Sequence, residues 1–169
     1  MSQDSTGLDI VQQSSHPLVR QFSGMWNAKR RSGGLPSRSD FEIDELMPWF
    51  GHVIIMDVID GGRDFRYRMI GTRITEFLDR DYTGKCVSEC EYGEGRAKVV
   101  DTFRRPIIVQ GPVHRSGQVI WAADKTWRRY DSVHCPLARD ADTPEFTIGV
   151  LYFGAAAVSR SGGLHDLSG

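Results

Sequence analysis

The sequence predicts an α+β fold built on an antiparallel sheet, and three observations carry that prediction. Apolar, strand-like runs fall into two blocks, residues 53–70 and 107–158, on either side of a helical middle. The glycine pair Gly61-Gly62 divides the first block into two runs that should return beside each other as a hairpin. The 169 residues are 40% hydrophobic and 25% charged, which suits one globular domain with tails.

Residues 1–15 are rich in Ser, Gln and Asp, show no hydrophobic period, and read as a disordered tail. The period begins at residue 16. Pro17 suits the first turn of a helix with Ser15 as its N-cap. Leu18, Phe22, Met25 and Trp26 then recur at helical spacing as one apolar stripe, and Gly33-Gly34 closes this amphipathic N-terminal helix, residues 16–34. Burying such side chains is worth roughly 1.5–3 kcal/mol each, so the stripe must land on something, either its own sheet or a partner.

Residues 35–49 read as irregular, broken by Pro36 and Pro48. Residues 53–60 are almost continuously apolar and read as a central strand covered on both faces. In the return strand, Phe65, Tyr67 and Met69 should share one face and Arg66, Arg68 and Ile70 the other. Residues 72–78 and 95–105 have helical periods, the second stopped by Pro106. Strands are expected over 107–114, 119–137 and 146–158, with a turn at Ser116-Gly117 and a disordered tail over 159–169. Five strands with helices on one face leave a small cavity between the two layers, a place for a ligand.

With 21 basic and 22 acidic side chains the net charge is −1, which argues against a dedicated nucleic-acid binder. No stretch approaches the ~18 apolar residues of a membrane span, and the polar N-terminus carries no secretory signal. The expectation is a soluble, cytoplasmic protein. Cys86, Cys90 and Cys135 read as reduced thiols. The first two lack the second ligand pair that zinc requires, and His114 and His134 stand alone, so no metal is expected.

Five segments together resemble a family of small bacterial PAS-type proteins. They are Leu35-Pro36-Ser37-Arg38-Ser39-Asp40-Phe41, Leu46-Met47-Pro48-Trp49-Phe50-Gly51, Phe65-Arg66-Tyr67-Arg68-Met69-Ile70-Gly71-Thr72, Arg80-Asp81-Tyr82-Thr83-Gly84-Lys85, and Arg129-Tyr130-Asp131 running on to Cys135-Pro136-Leu137. The resemblance implies a PAS-like five-stranded antiparallel sheet over residues 35–158. It also implies sensing or protein interaction rather than turnover, with motility and cell-cycle control among the roles of some members. A chain of this length has no room for a kinase, cyclase or DNA-binding output, so a signal would pass by contact to a separate signalling protein. PAS relatives often self-associate through the segment before the sheet. The expectation is therefore a homodimer joined by Leu18, Phe22, Met25 and Trp26, with the helix lying outside the main helix layer.

The candidate ligand site centres on Arg68, mid-strand among apolar residues. It reads either as an ion pair with Asp131 or Asp57 or as an anchor for an anionic ligand, helped by the free N–H groups of the helix starting at Thr72. Tyr67 and Trp127 would be wall residues and Asp131 a further polar contact. No His lies between Gly71 and Arg105, where haem-binding PAS proteins usually take their proximal ligand, and no flavin-type reactive cysteine motif is present, so no cofactor is expected. The alternative is a small cavity enzyme of hydrolase or isomerase type, for which Asp131 with His134, or Tyr67 with Asp57, are the pairs that could be drawn. No nucleophile elbow or phosphate-cradling glycine loop supports it.

Overall fold

From Ser132 to Ala138 seven consecutive strand residues are buried. Because strand side chains alternate between faces, such a run requires cover on both sides of the sheet. The protein's structure, a computed structural model, describes residues 10–119, 121–125, 128–139 and 143–154. Six strands form one sheet: β1 (Ile10–Val11), β2 (Val53–Ile59), β3 (Asp64–Ile70), β4 (Val113–Gln118), β5 (Arg129–Ala138) and β6 (Pro144–Phe153). Their order is β1-β4-β5-β6-β2-β3 and every pair is antiparallel. The five expected strands are joined by the short β1, which comes from the segment that reads as a tail. Ile10 and Val11 pair with Arg115 and His114 at the β4 edge. Ser14 is buried, with its N–H donating to His114 Nδ1 (3.2 Å) and its hydroxyl to Asp131 Oδ1 (3.0 Å). An edge strand left bare would invite pairing with another chain, and Ile10 and Val11 cover part of it.

Helix α1 (Pro17–Lys29) lies across β5 and β6. Its N-cap is His16 rather than Ser15, with Nδ1 accepting from Leu18 N–H at 3.3 Å. Val19, Phe22 and Trp26 are fully buried, and Leu18 and Met25 pack beside them. Trp26 Nε1 donates to the Pro136 carbonyl (2.9 Å), and Trp49 Nε1 donates to the Leu18 carbonyl (2.7 Å), so both indoles satisfy their polar atom while filling the core. The stripe expected to meet a second copy is spent on the chain's own sheet. The helix lies outside the α3–α4 layer, on the other face of the sheet, and Phe22 and Trp26 are buried within the chain itself.

The opposite face carries α3 (Thr72–Leu78), α4 (Arg96–Val109) and the loops around them. Pro106 does not stop α4. It is buried inside the helix, which runs on to Val109 and ends at Gln110 in the left-handed region. Residues 107–109 are therefore helical, and β4 begins only at Val113. Ser116 and Gly117 lie inside β4, paired with Asp131 and Tyr130; the turn comes later, closed by Val119 N–H to the Arg128 carbonyl.

A bulge decides the faces of β3. Ile55 pairs with Met69 but Met56 with Tyr67, so one residue is inserted between them. Phe65 and Tyr67 face the α3–α4 layer as expected, whereas Met69 turns to the α1 side and Ile70 takes the α3 side. Two of the sequence motifs meet here. The Gly71 N–H donates to the Val53 carbonyl and the Arg73 N–H to the Gly51 carbonyl, and a Cβ on Gly71 would sit 2.2 Å from the Gly51 oxygen. Only glycine fits this crossing. Before β2, α2 (Ile43–Leu46) runs directly into a 3-10 turn (Met47–Trp49), and Leu46 and Trp49 point into the α1 side of the core.

Three outcomes follow in chemical denaturation. Gly71→Ala should destabilise by about 1–3 kcal/mol through backbone displacement, while Gly24→Ala, exposed in α1 with open space around it, should stabilise by about 0.5–1 kcal/mol. Phe22→Ser should lower stability by about 3–5 kcal/mol, with no change in sedimenting mass of the folded fraction; dissociation of a folded dimer into folded monomers would contradict the packing of α1.

Candidate functional site

Between the sheet and the α3–α4 layer lies a cavity of about 60 Å³ open to water centres. At roughly 10–15 Å³ per water, it holds about four waters or one compact organic molecule. Its floor is sheet: Ile54, Tyr67, Tyr130, Ser132, His134 and Leu151. Ile74 and Leu78 of α3 and Val99, Thr102 and Phe103 of α4 form the opposite wall, and Arg80, Tyr82, Tyr92 and Trp121 close the ends. Period-2 alternation along β5 presents Tyr130, Ser132 and His134 together on this side.

The polar groups inside are neutral. Tyr67 and Tyr92 hydrogen-bond through their hydroxyls, and burial pushes both far above the usual phenol value. Tyr82 stands edge-on to Tyr92, and its hydroxyl accepts from Glu91 N–H at 3.3 Å. The loop carrying Tyr82 is held by strand-like bonds to β3, Tyr67 N–H to the Lys85 carbonyl and Gly84 N–H to the Tyr67 carbonyl. Arg80 reaches Asp124 at 3.7 Å on the rim, where its side chain is one-third exposed.

His134 is wholly enclosed. Burial, with the Arg115 charge as a second cause, holds its pKa down to about 3, so the ring is uncharged. Phe103 packs edge-on at 5.1 Å, and Nδ1 has no hydrogen-bond partner. The ring lies over Gly149, where a Cβ would come within 2.3 Å of Nδ1. Arg115 is itself buried and paired with Asp101 Oδ2 of α4 at 2.9 Å.

Of the residues proposed from sequence, Tyr67 lines the cavity and three others do not. Arg68 is 56% exposed on the opposite side, paired with Asp57 at 2.7 Å and lying over the Phe146 ring. Among its sequence readings, the ion pair with Asp57 is the one the fold realises. Thr72 is exposed at the start of α3, and the helix N–H that would have met an anion, that of Arg73, is occupied by the Gly51 carbonyl at 2.9 Å. Asp131 faces α1 and accepts from Ser14. Trp127 lies outside the described residues. The two pairs drawn for an enzyme are also separated: Asp131 and His134 point to opposite faces of β5, and Tyr67 lies in the cavity while Asp57 is bound to Arg68 across the sheet. Sequence reasoning missed Tyr92, Tyr82 and Ser132 as lining residues, and named His134 only as the partner of Asp131 in the enzyme alternative. Alternation along residues 130–134 contained the signal for Tyr130, Ser132 and His134; nothing local places Tyr92 against Tyr67, 25 residues away.

Among the described residues no cluster of three His, Cys, Asp or Glu side chains could hold a metal ion. Cys135 is fully buried on the α1 side, and Cys90 donates to the Cys86 carbonyl with its pKa raised by burial to about 11.

A family model described as PAS domain matches residues 14–152, from the buried Ser14 to the penultimate residue of β6. No curated protein and no solved structure matches the chain.

The enclosed imidazole sets the acid behaviour. An unfolded histidine takes a proton near pH 6.5, whereas native His134 resists protonation down to about 3. Between those values the unfolded chain binds more protons, so stability is full above about pH 6.5 and falls as pH drops toward 3. One such proton contributes a slope of about 1.4 kcal/mol per pH unit. Burial also lowers the pKa of His52 and His114, which act in the same direction. His134→Gln should make the loss between pH 6 and 4 measurably shallower in urea titrations; an unchanged slope would mean the ring is solvated.

Proposed function

The chain belongs to the PAS domain family, whose general role is sensing and signalling, and on that premise we propose that it is a ligand-responsive sensory or adaptor domain without catalytic output of its own. The observation carrying this reading is the cavity between the sheet and the α3–α4 layer, walled by aromatic and aliphatic side chains and supplied with a few uncharged hydrogen-bonding groups. Tyr67, Tyr92, Ser132 and Thr102 can donate or accept, and neutral His134 adds its ring nitrogens. With no charge inside and Arg80 held at the rim, the site favours a small, uncharged and largely apolar molecule over an anion. The separation of both acid–base pairs across the sheet speaks for binding over turnover. The signal then passes by contact to a separate protein in the cytoplasm of a bacterial cell, with motility control among the outputs that the resemblance suggests.

Small neutral aromatics such as indole and phenol serve as probes. A ligand at a hundred times its Kd stabilises by about 2.7 kcal/mol, enough for a clear rise in Tm. Wild type should show that rise together with a change in tyrosine and tryptophan emission. Ser132→Leu, which fills the floor of the cavity, should keep the fold and lose both effects. Equal responses from the two proteins would place binding elsewhere, and the absence of any response across neutral probes while a carboxylate binds would overturn the assigned ligand class.

A further inference from the structure

Residues 43–50 are apolar on two faces. Leu46 and Trp49 are buried against the α1 side of the core. One helical step around, Ile43, Met47 and Phe50 stand outward at i, i+4 and i+7, exposed by 71%, 56% and 65%. Apart from Ile108 and Val109 at the end of α4, these are the large exposed hydrophobics among the described residues. Large apolar side chains grouped on the outside of a helical segment are a surface in want of cover.

Glu42 and Asp44 are exposed beside the ridge, and no cation among the described residues pairs with either. The nearby cations are already engaged: Lys29 with Glu45 at 2.7 Å, Arg31 with Asp40 at 2.6 Å, and Arg73, whose chain lies over Gly51, with Glu76 at 3.8 Å. We propose that the ridge of Ile43, Met47 and Phe50, with Glu42 and Asp44 at its side, docks a cationic amphipathic helix of a separate protein.

Size and charge both favour that occupant over a second copy. A stable dimer buries about 800 Å² per partner, and three side chains on a two-turn segment fall well short of it. An amphipathic helix laid along the ridge matches its spacing, with Lys or Arg beside the apolar stripe meeting the Glu42 and Asp44 carboxylates. The ridge also touches the cavity wall: Phe50 precedes Gly51, whose carbonyl accepts from the first turn of α3, and α3 contributes Ile74 and Leu78 to the cavity. The docking surface itself stands whether or not the cavity takes a ligand.

The test titrates the full chain with a fluorescent Leu/Lys helical peptide bearing Leu at i, i+3, i+4 and i+7, alongside its scrambled-order isomer and a Leu/Glu counterpart. Wild type should bind the first peptide at least tenfold more tightly than either of the others, and more weakly as salt rises. Ile43→Ser with Phe50→Ser should weaken binding at least tenfold with Tm unchanged. Glu42→Gln with Asp44→Asn should weaken it severalfold and flatten the salt dependence, while Ile108→Ser should bind as wild type does. Equal binding of ordered and scrambled peptides, no binding by wild type, indifference to the ridge substitutions, or a concentration-dependent dimer in sedimentation that the ridge substitutions abolish would each overturn the proposal.

Discussion

Strand β5 cannot be half-exposed. Tyr130, Ser132, His134 and Pro136 point one way, Val133, Cys135 and Leu137 the other, and all of them are buried. A sheet built around such a strand is stable only when both faces are covered, and here the chain supplies both covers. Helix α1 lays Val19, Phe22 and Trp26 on one side; α3 and α4 lie on the other. The indole of Trp26 fixes the first cover directly to β5 through the Pro136 carbonyl, and Trp49 fixes α1 to the segment that leads into β2.

The two covers differ in how closely they pack. On the α1 side, large side chains interdigitate, with Phe22 edge-on to Trp49 at 5.3 Å. On the α3–α4 side, polar residues are mixed among the aromatics, and the layer stands far enough off the sheet to leave a cavity. Burial holds Tyr67, Tyr92 and His134 in their neutral states, which favours uncharged contents. Gly149 makes room for the His134 ring on the sheet floor, so one missing side chain decides where the imidazole lies.

A different glycine joins the two ends of this arrangement. At the Gly51–Gly71 crossing, the backbone leading into β2 meets the first turn of α3 through three closely placed groups, and the outward ridge of Ile43, Met47 and Phe50 is continuous with one side of that crossing. The cavity wall and the exposed ridge therefore share a direct backbone contact. Such a contact transmits a displacement only if it has two arrangements, a property that depends on the packing around α3.

Local pattern was enough for the fold class, the β2–β3 hairpin, α3 and the helical stripe of α1, because each depends on a period that neighbouring residues express together. The motifs from residue 35 to residue 137 were enough to indicate the family. What covers the α1 stripe was not legible, since a hydrophobic period says that a face must be buried and not against which surface. Nor were the sides of Met69 and Ile70: one inserted residue opposite Ile55 and Met56 reverses the faces beyond it, and that insertion exists only in the pairing of two strands. The candidate site divides in the same way. Alternation along β5 already put Tyr130, Ser132 and His134 on one face, but the meeting of Tyr67 with Tyr92, and the parting of Asp131 from His134, were decided by which layer the tertiary fold set above each face of the sheet.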